Sequence, residues 1–144
     1  MNIYTRNNDN DFLKYLDSDE MKILEEIAEV RTVEKGTVVF NAGDKDCDIY
    51  YIKSGALSTF KLSSNGEAVI FQTLHRGEIS GEINLTFNKR KFGLAAKYTS
   101  EVTVYPYKKV KKIINEHKQI AAKLMAAVND SLTIKNIQLT QKLH

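Results

Sequence analysis

The sequence predicts a mainly β fold with flanking helices, and three observations carry that expectation. Apolar residues recur at helical spacing near the start of the chain and again from Tyr107 onward, with short β-branched and aromatic runs between. All seven glycines, at positions 36, 43, 55, 66, 77, 81 and 93, fall in the middle stretch. Four of them, Gly43 to Gly77, are spaced by 12, 11 and 11 residues, the rhythm of short strands closed by turns in a small sandwich or roll. At 144 residues, 42% of them hydrophobic, the chain is long enough to bury one core and too apolar to be disordered.

Between about Asp11 and Glu29, Phe12, Leu13, Leu16, Ile23, Leu24 and Ile27 follow a helical period. The period breaks at Asp17-Ser18-Asp19, where Asp17 or Ser18 suits the N-cap of a second helix because its side-chain oxygen can accept an orphan backbone N–H. Residues 1–10 are expected to be a flexible N-terminus. Strands are expected at Thr37–Phe40, Asp48–Ile52, Ala56–Phe60, Ala68–Phe71 and Glu101–Tyr105. Asn65-Gly66 marks a hairpin between the strand ending at Leu62 and the one starting at Ala68. Pro106 precedes a helical stretch that Asn115-Glu116-His117 divides into a short helix and a long one over about 118–144. In the long helix Ile120, Leu124, Ala127, Ser131, Ile134 and Gln138 keep a three–four alternation. A second stripe through Met125, Val128, Leu132 and Leu139 leaves apolar surface for an isologous homodimer.

Composition excludes several classes. No apolar run approaches the roughly 18 residues of a membrane span, and the Met-Asn-Ile-Tyr-Thr start has no signal-peptide core, so no membrane partner is expected. Cys47 is the sole cysteine, which rules out an intrachain disulfide and suits a reducing cytoplasm. An iron–sulfur sensor needs about four cysteines. His75, His117 and His144 are scattered, against the clustered histidines of a cupin-type metal enzyme, and no nucleophile triad is evident. The chain therefore reads as no enzyme, with no catalytic residue, no metal and no required cofactor. A net charge of +3 is too mild for nucleic acid, and Lys108, Lys109, Lys111 and Lys112 read as a solvated helix face.

The informative segment is Gly77 to Ala96, where Gly81-Glu82 is followed eight residues later by Arg90. Glycine lets a backbone approach an anion, arginine grips phosphate oxygens as a planar fork, and a carboxylate can accept from sugar hydroxyls. The segment fits a small phosphorylated ligand bearing a ribose. It also fits a tight turn, a helix N-terminus and an arginine held in a salt bridge.

The order Glu34-Lys35-Gly36, Phe40, Ala42-Gly43-Asp44, Tyr51-Ile52, Ser54-Gly55, Asn65-Gly66-Glu67, Gly77-Glu78, Gly81-Glu82 and Arg90 resembles the cyclic nucleotide-binding domain. More narrowly it is similar to the sensor half of the cyclic-AMP receptor protein and fumarate–nitrate regulator type of bacterial transcription regulators, over about residues 12–144. The resemblance implies a double-stranded β-helix, or jelly-roll-like β-roll, of roughly eight strands with a long C-terminal dimerisation helix. It also implies a phosphate-binding cassette around residues 77–96, with a short helix near Ile83–Phe87. Carried over residue by residue, Gly81 offers backbone N–H to a cyclic phosphate, Glu82 meets the ribose, Arg90 pairs with the phosphate, and the ligand is cyclic AMP or cyclic GMP. The ligand set reads Gly81, Glu82, Ile83, Arg90, Lys91 and Asn136, with Lys135 and Asn136 roughly where the base is read. Several positions depart from the family pattern. Lys91 stands for a small residue or hydroxyl, Ser80 for an apolar residue and Phe92 for a small one, and the cassette is about two residues short. These departures leave open a degenerate version that senses another small acid or serves only dimerisation. Regulators of this type continue into a helix-turn-helix reader. Residues 11–144 read as sensor domain alone, so no direct DNA contact is expected of this chain unless such a domain follows in a longer parent.

Overall fold

The computed structural model describes residues 11–81 and 89–142. The expected flexible residues 1–10 and the expected short helix near Ile83–Phe87 lie outside that range, as do residues 143–144. The elements run α1 (Ser18–Glu25), β1 (Glu29–Val33), β2 (Val38–Phe40), β3 (Ile49–Ser54), β4 (Leu57–Leu62), β5 (Ala68–Leu74), β6 (Ile79–Ser80), β7 (Gly93–Ala96), β8 (Ser100–Tyr105), α2 (Tyr107–Glu116) and α3 (Lys118–Lys142). The strands form two four-stranded antiparallel sheets, ordered β1-β8-β3-β6 and β2-β7-β4-β5. This is the mainly β roll with flanking helices that the sequence predicts.

Strand alternation sorts the side chains into two cores. Between the sheets lie Tyr50, Ile52, Val102 and Val104 from one sheet and Phe40, Leu57, Leu74, Leu94 and Ala96 from the other. Ile49 and Tyr105 point the opposite way and pack with Phe12, Leu24, Val110, Ile113, Ile120, Leu124, Ala127 and Val128 beneath the helices. The sheet containing β3 and β8 is thus covered on both faces, which explains why five of the six residues of β8 are buried, polar Ser100 and Thr103 included. Each fully buried Leu, Ile or Val stabilises by roughly 1.5–3 kcal/mol relative to exposure.

At the N-terminal end, the helical spacing around Phe12 to Leu16 forms a turn rather than a helix. Lys14 N donates to Asp11 O at 3.1 Å and Leu16 N to Leu13 O at 3.1 Å. The stretch is too short to propagate, because Asp17 starts a new helix immediately. Asp17 is the N-cap of α1 in a reciprocal capping box: Glu20 N donates to its Oδ1 at 2.8 Å, and its own N donates to Glu20 Oε1 at 3.0 Å. Three strands carry little sequence signal. β1 is a largely exposed edge strand, β6 has two residues, and β7 is Gly-Leu-Ala-Ala. The Asn65-Gly66 hairpin forms, through a loop in which Ser63 N donates to Glu67 O at 2.7 Å and Gly66 N to Ser63 O at 2.9 Å. The two C-terminal helices divide where expected, at His117.

On α3, Ile120, Leu124 and Ala127 are buried against the roll, and Ser131 and Ile134 are half-buried. Val128 is also buried in the protein's own core, so it drops out of the expected partner stripe; a helix face slightly wider than a heptad seam is needed to cover the sheet. The exposed apolar residues of α3 are Met125, Leu132 and Ile137, and the side chain of Leu139 lies outside the described set.

Gly55, between β3 and β4, has φ +85°, and a Cβ there would sit 2.2 Å from Ser100 Oγ, which itself receives the Ala56 N–H at 3.0 Å. Gly55→Ala is therefore expected to lower stability by about 1–3 kcal/mol in urea denaturation, through both strain and overpacking. An unchanged midpoint would contradict this packing.

Candidate functional site

Strand β6 is followed by Gly81, a buried residue with φ +108°. A Cβ at this position would lie 2.6 Å from Asp48 O and 2.7 Å from Arg90 Nη1, so only glycine lets the chain pass between the start of β3 and the guanidinium. The glycine and the arginine that the sequence pairs across eight residues are thus in direct apposition.

Arg90 is 3% exposed. Its backbone is pinned to the loop before β3, with Arg90 N donating to Asp44 O at 2.9 Å and Gly43 N donating to Arg90 O at 2.8 Å. Its Nη2 donates to Asp48 O at 2.5 Å and stands 3.3 Å from Asp46 Oδ2. The guanidinium plane lies 3.9 Å from the Phe40 ring centroid and 5.6 Å from that of Tyr50. Asp46 is itself held, accepting Tyr50 OH at 3.0 Å and Asp48 N at 2.8 Å. A buried cation needs such compensation, and here it comes from a carboxylate, a carbonyl and two aromatic faces. Asp46, Asp48 and Tyr50 were not singled out in the sequence. The only signal was an Asp-Cys-Asp run entering a strand, which reads equally well as a polar turn.

Of the other residues in the ligand set, Glu82 and Ile83 lie outside the described residues. Lys91 is exposed, one residue beyond the buried arginine. Phe92 packs edge-on against Phe71 at 5.0 Å, with Lys61 Nζ 5.1 Å above its ring. Asn136 is exposed on α3, its carbonyl accepting from Thr140 Oγ1 at 2.9 Å. Its neighbour Lys135 turns toward the roll: Nζ donates to Ile79 O at 2.8 Å, while Lys135 O accepts Gln72 Nε2 at 2.9 Å. Gln72, buried on β5, is a second contact that sequence reasoning missed, because a single polar residue in a strand carries no sign of which element it meets. Gly77 closes a turn and ties down the N-terminal segment, its carbonyl accepting Phe12 N at 2.8 Å.

The two-sheet roll, its covering helices and the glycine–arginine apposition define a helix-flanked β-roll domain. The chain belongs to the cyclic nucleotide-binding domain family, whose model matches residues 30–117, more than half of the sequence. It is 31% identical over 99 residues to the anaerobic regulatory protein of Bacillus subtilis strain 168, covering 67% of this chain and 42% of that protein. It is 28% identical over 115 residues to the transcriptional activator protein Anr of Pseudomonas protegens, covering 79% and 47% respectively. The chain therefore spans about half the length of these relatives or less. Among solved structures it is similar to the c-di-GMP responsive global regulator CLP of Xanthomonas campestris, with a TM-score of 0.78 at 20% identity over 88% of this chain and 63% of that one. That likeness is one of fold. The regulator type that the residues resemble is thus the type of its relatives.

Three tyrosines of β3 and β8, of which Tyr50 alone faces Arg90, make a pH prediction. Burial, then the charge and hydrogen bond of Asp46, push Tyr50 up to about 12 from an ordinary value of 10. Burial, then Asp11 and Glu25, raise Tyr105 to about 12, and burial with the Asp11 hydrogen bond raises Tyr51 in the same direction. A raised phenol stabilises the fold in its neutral form. The contribution is fully present below pH 10 and is lost as pH rises from 10 through about 12. Thermal melts followed by circular dichroism should show Tm falling steadily over that interval, and a flat Tm would count against it.

Proposed function

We propose that this chain is the ligand-sensing domain of a transcription regulator, binding a small phosphorylated ligand, cyclic AMP or cyclic GMP, at Gly81 and Arg90. The observation that carries the reading is the packing of the Gly81 backbone directly on the Arg90 guanidinium. Backbone N–H groups and a permanently charged fork would then meet the same phosphate. Glu82, Ile83, Lys91 and Asn136 complete the proposed contact set. The domain acts by binding rather than by chemistry, needs no metal or cofactor, and works in the cytoplasm. No described helix is long and apolar enough to cross a membrane.

Signalling requires two arrangements that the ligand binds unequally. Lys135 supplies a physical link, because it ties α3 to the carbonyl of Ile79, two residues before Gly81. A ligand that reshapes this strand end changes what holds the helix. We place an isologous homodimer on the same helix, through the large apolar residues Met125, Leu132 and Ile137, which are 46%, 43% and 52% exposed. Direct DNA contact would require a helix-turn-helix reader following this domain in a longer parent.

One observation favours a second reading. Asp46 already pairs with Arg90, so the arginine has an internal anion, and the roll would then sense another small acid or serve only dimerisation. Titration calorimetry of the wild-type chain and of Arg90→Gln separates the two. Saturable binding of cyclic AMP or cyclic GMP, weakened about 10–100-fold in the variant, is expected of a phosphate-gripping arginine. Equal affinity in both proteins, or no heat with either nucleotide, favours the second reading. For the dimer, Leu132→Asp is expected to shift sedimentation from dimer to monomer without unfolding the domain. A variant that remains dimeric would move the interface off this helix.

A further inference from the structure

The two ends of the Arg90 fork have different neighbours. Nη1 abuts Gly81, where a Cβ would come within 2.7 Å of it. Nη2 faces the loop before β3, donating to Asp48 O at 2.5 Å and standing 3.3 Å from Asp46 Oδ2. The proposed phosphate cradle and a carboxylate of the protein therefore sit on the same guanidinium.

That carboxylate is fastened in place. Asp46 is half-buried and both of its oxygens are engaged, Oδ2 accepting Tyr50 OH at 3.0 Å and Oδ1 accepting Asp48 N at 2.8 Å. Tyr50 is itself buried in β3, with its ring 5.6 Å from that of Phe40, so the hydroxyl that holds Asp46 belongs to the core. Asp48 is the other acid of this loop, and its side chain turns elsewhere. Its Oδ1 accepts Tyr107 N at 2.9 Å at the start of α2, and its carbonyl alone is given to Arg90.

Two effects of Asp46 on an incoming anion oppose each other. It orients the guanidinium before binding, which favours affinity. It also cancels the charge that draws an anion in, which lowers affinity. The orientation is redundant. Arg90 N to Asp44 O at 2.9 Å, Gly43 N to Arg90 O at 2.8 Å, the Asp48 carbonyl, and the Phe40 ring 3.9 Å from the guanidinium carbon all hold the arginine without Asp46. The cancellation is not, because a carbonyl and two aromatic faces bring dipoles and quadrupoles rather than a full negative charge. Charge therefore decides the sign.

We infer that Asp46 is the affinity-setting residue of the Arg90 site, a resident anion that a ligand phosphate must displace or share the guanidinium with. The site then responds only to a ligand more concentrated than a bare buried cation would require. The inference rests on the proposed reading of Gly81 and Arg90 as an anion site, and not on that anion being a nucleotide.

The test compares wild type with Asp46→Asn, with Tyr50→Phe, and with Glu34→Gln, an exposed acid outside the site whose loss changes net charge equally. Cyclic AMP and cyclic GMP are titrated by calorimetry, and inorganic phosphate is followed by the NMR signals of the Arg90 guanidinium. Asp46→Asn is expected to bind about 10-fold more tightly or better, since a buried charge pair has lost its negative member. Tyr50→Phe removes only the hydroxyl that holds the carboxylate and should tighten binding by about 2–5-fold, and Glu34→Gln should stay within about 2-fold of wild type. Without ligand, Asp46→Asn should melt below wild type, because Arg90 loses its counter-ion, and phosphate should raise its Tm more than that of wild type. If Asp46→Asn does not fold, Tyr50→Phe decides, and equal or weaker binding by it overturns the inference. Equal or weaker nucleotide binding by Asp46→Asn overturns the inference and leaves the nucleotide reading standing. Phosphate binding gained in Asp46→Asn, with no nucleotide binding by any protein, upholds the inference and removes the nucleotide. Tightening by Glu34→Gln as large as by Asp46→Asn overturns it as an effect of net charge, and no anion binding by any of the four proteins overturns both readings.

Discussion

Burying a guanidinium is the constraint around which this roll is arranged. An arginine cannot shed its charge, and transfer to the interior is tolerated only when its charge is compensated. Around Arg90 the compensation comes from several separate stretches of chain. Phe40 closes β2, Asp46 and Asp48 form the loop before β3, Tyr50 lies within β3, and Gly81 follows β6. Two backbone hydrogen bonds from residues 43 and 44 hold the arginine in place from the other side. Both sheets therefore meet at this group, since Phe40 belongs to one and Tyr50 to the other. Removing the charge would leave Asp46 without its cation and open a gap between two aromatic rings.

The same group makes the site chemically ambivalent in a useful way. A guanidinium already engaged by a carboxylate is oriented before any ligand arrives, which lowers the ordering cost of binding. Its internal partner also competes with an incoming anion, so affinity would reflect the difference between two charge-assisted contacts rather than the strength of one. A phosphate bound as proposed would have to compete with Asp46 for the guanidinium.

The helices connect this site to the surface that a second copy would cover. α3 is fastened to the roll at three levels, by Lys123 to Glu20 of α1, by Asp130 to Lys14 at 3.1 Å and to the hydroxyl of Tyr15, and by Lys135 to Ile79 and Gln72. The first two lie on the N-terminal segment and the third on the roll beside Gly81. Between them Ile120, Leu124, Ala127 and Val128 supply the apolar contact that sets the helix against the sheet. The fastenings through Glu20, Gln72 and Lys135 are partly buried, and they add directional contacts to an apolar packing that has none.

The sequence by itself determined the succession of helix, strands and helices, because hydrophobic period is a local property that survives without knowledge of what each face meets. It located Gly81 and Arg90, since the ordered set of residues from Glu34 to Arg90, and not any one pair within it, resembles one family, and it placed the break at His117. Tertiary structure alone decided what surrounds the arginine. Asp46, Asp48 and Tyr50 are distant from it along the chain, and their roles arise only when the sheets close. The same holds for Gln72, for the choice of Lys135 as the residue facing the roll, and for the loss of Val128 from the exposed stripe, because helix rotation is set by packing.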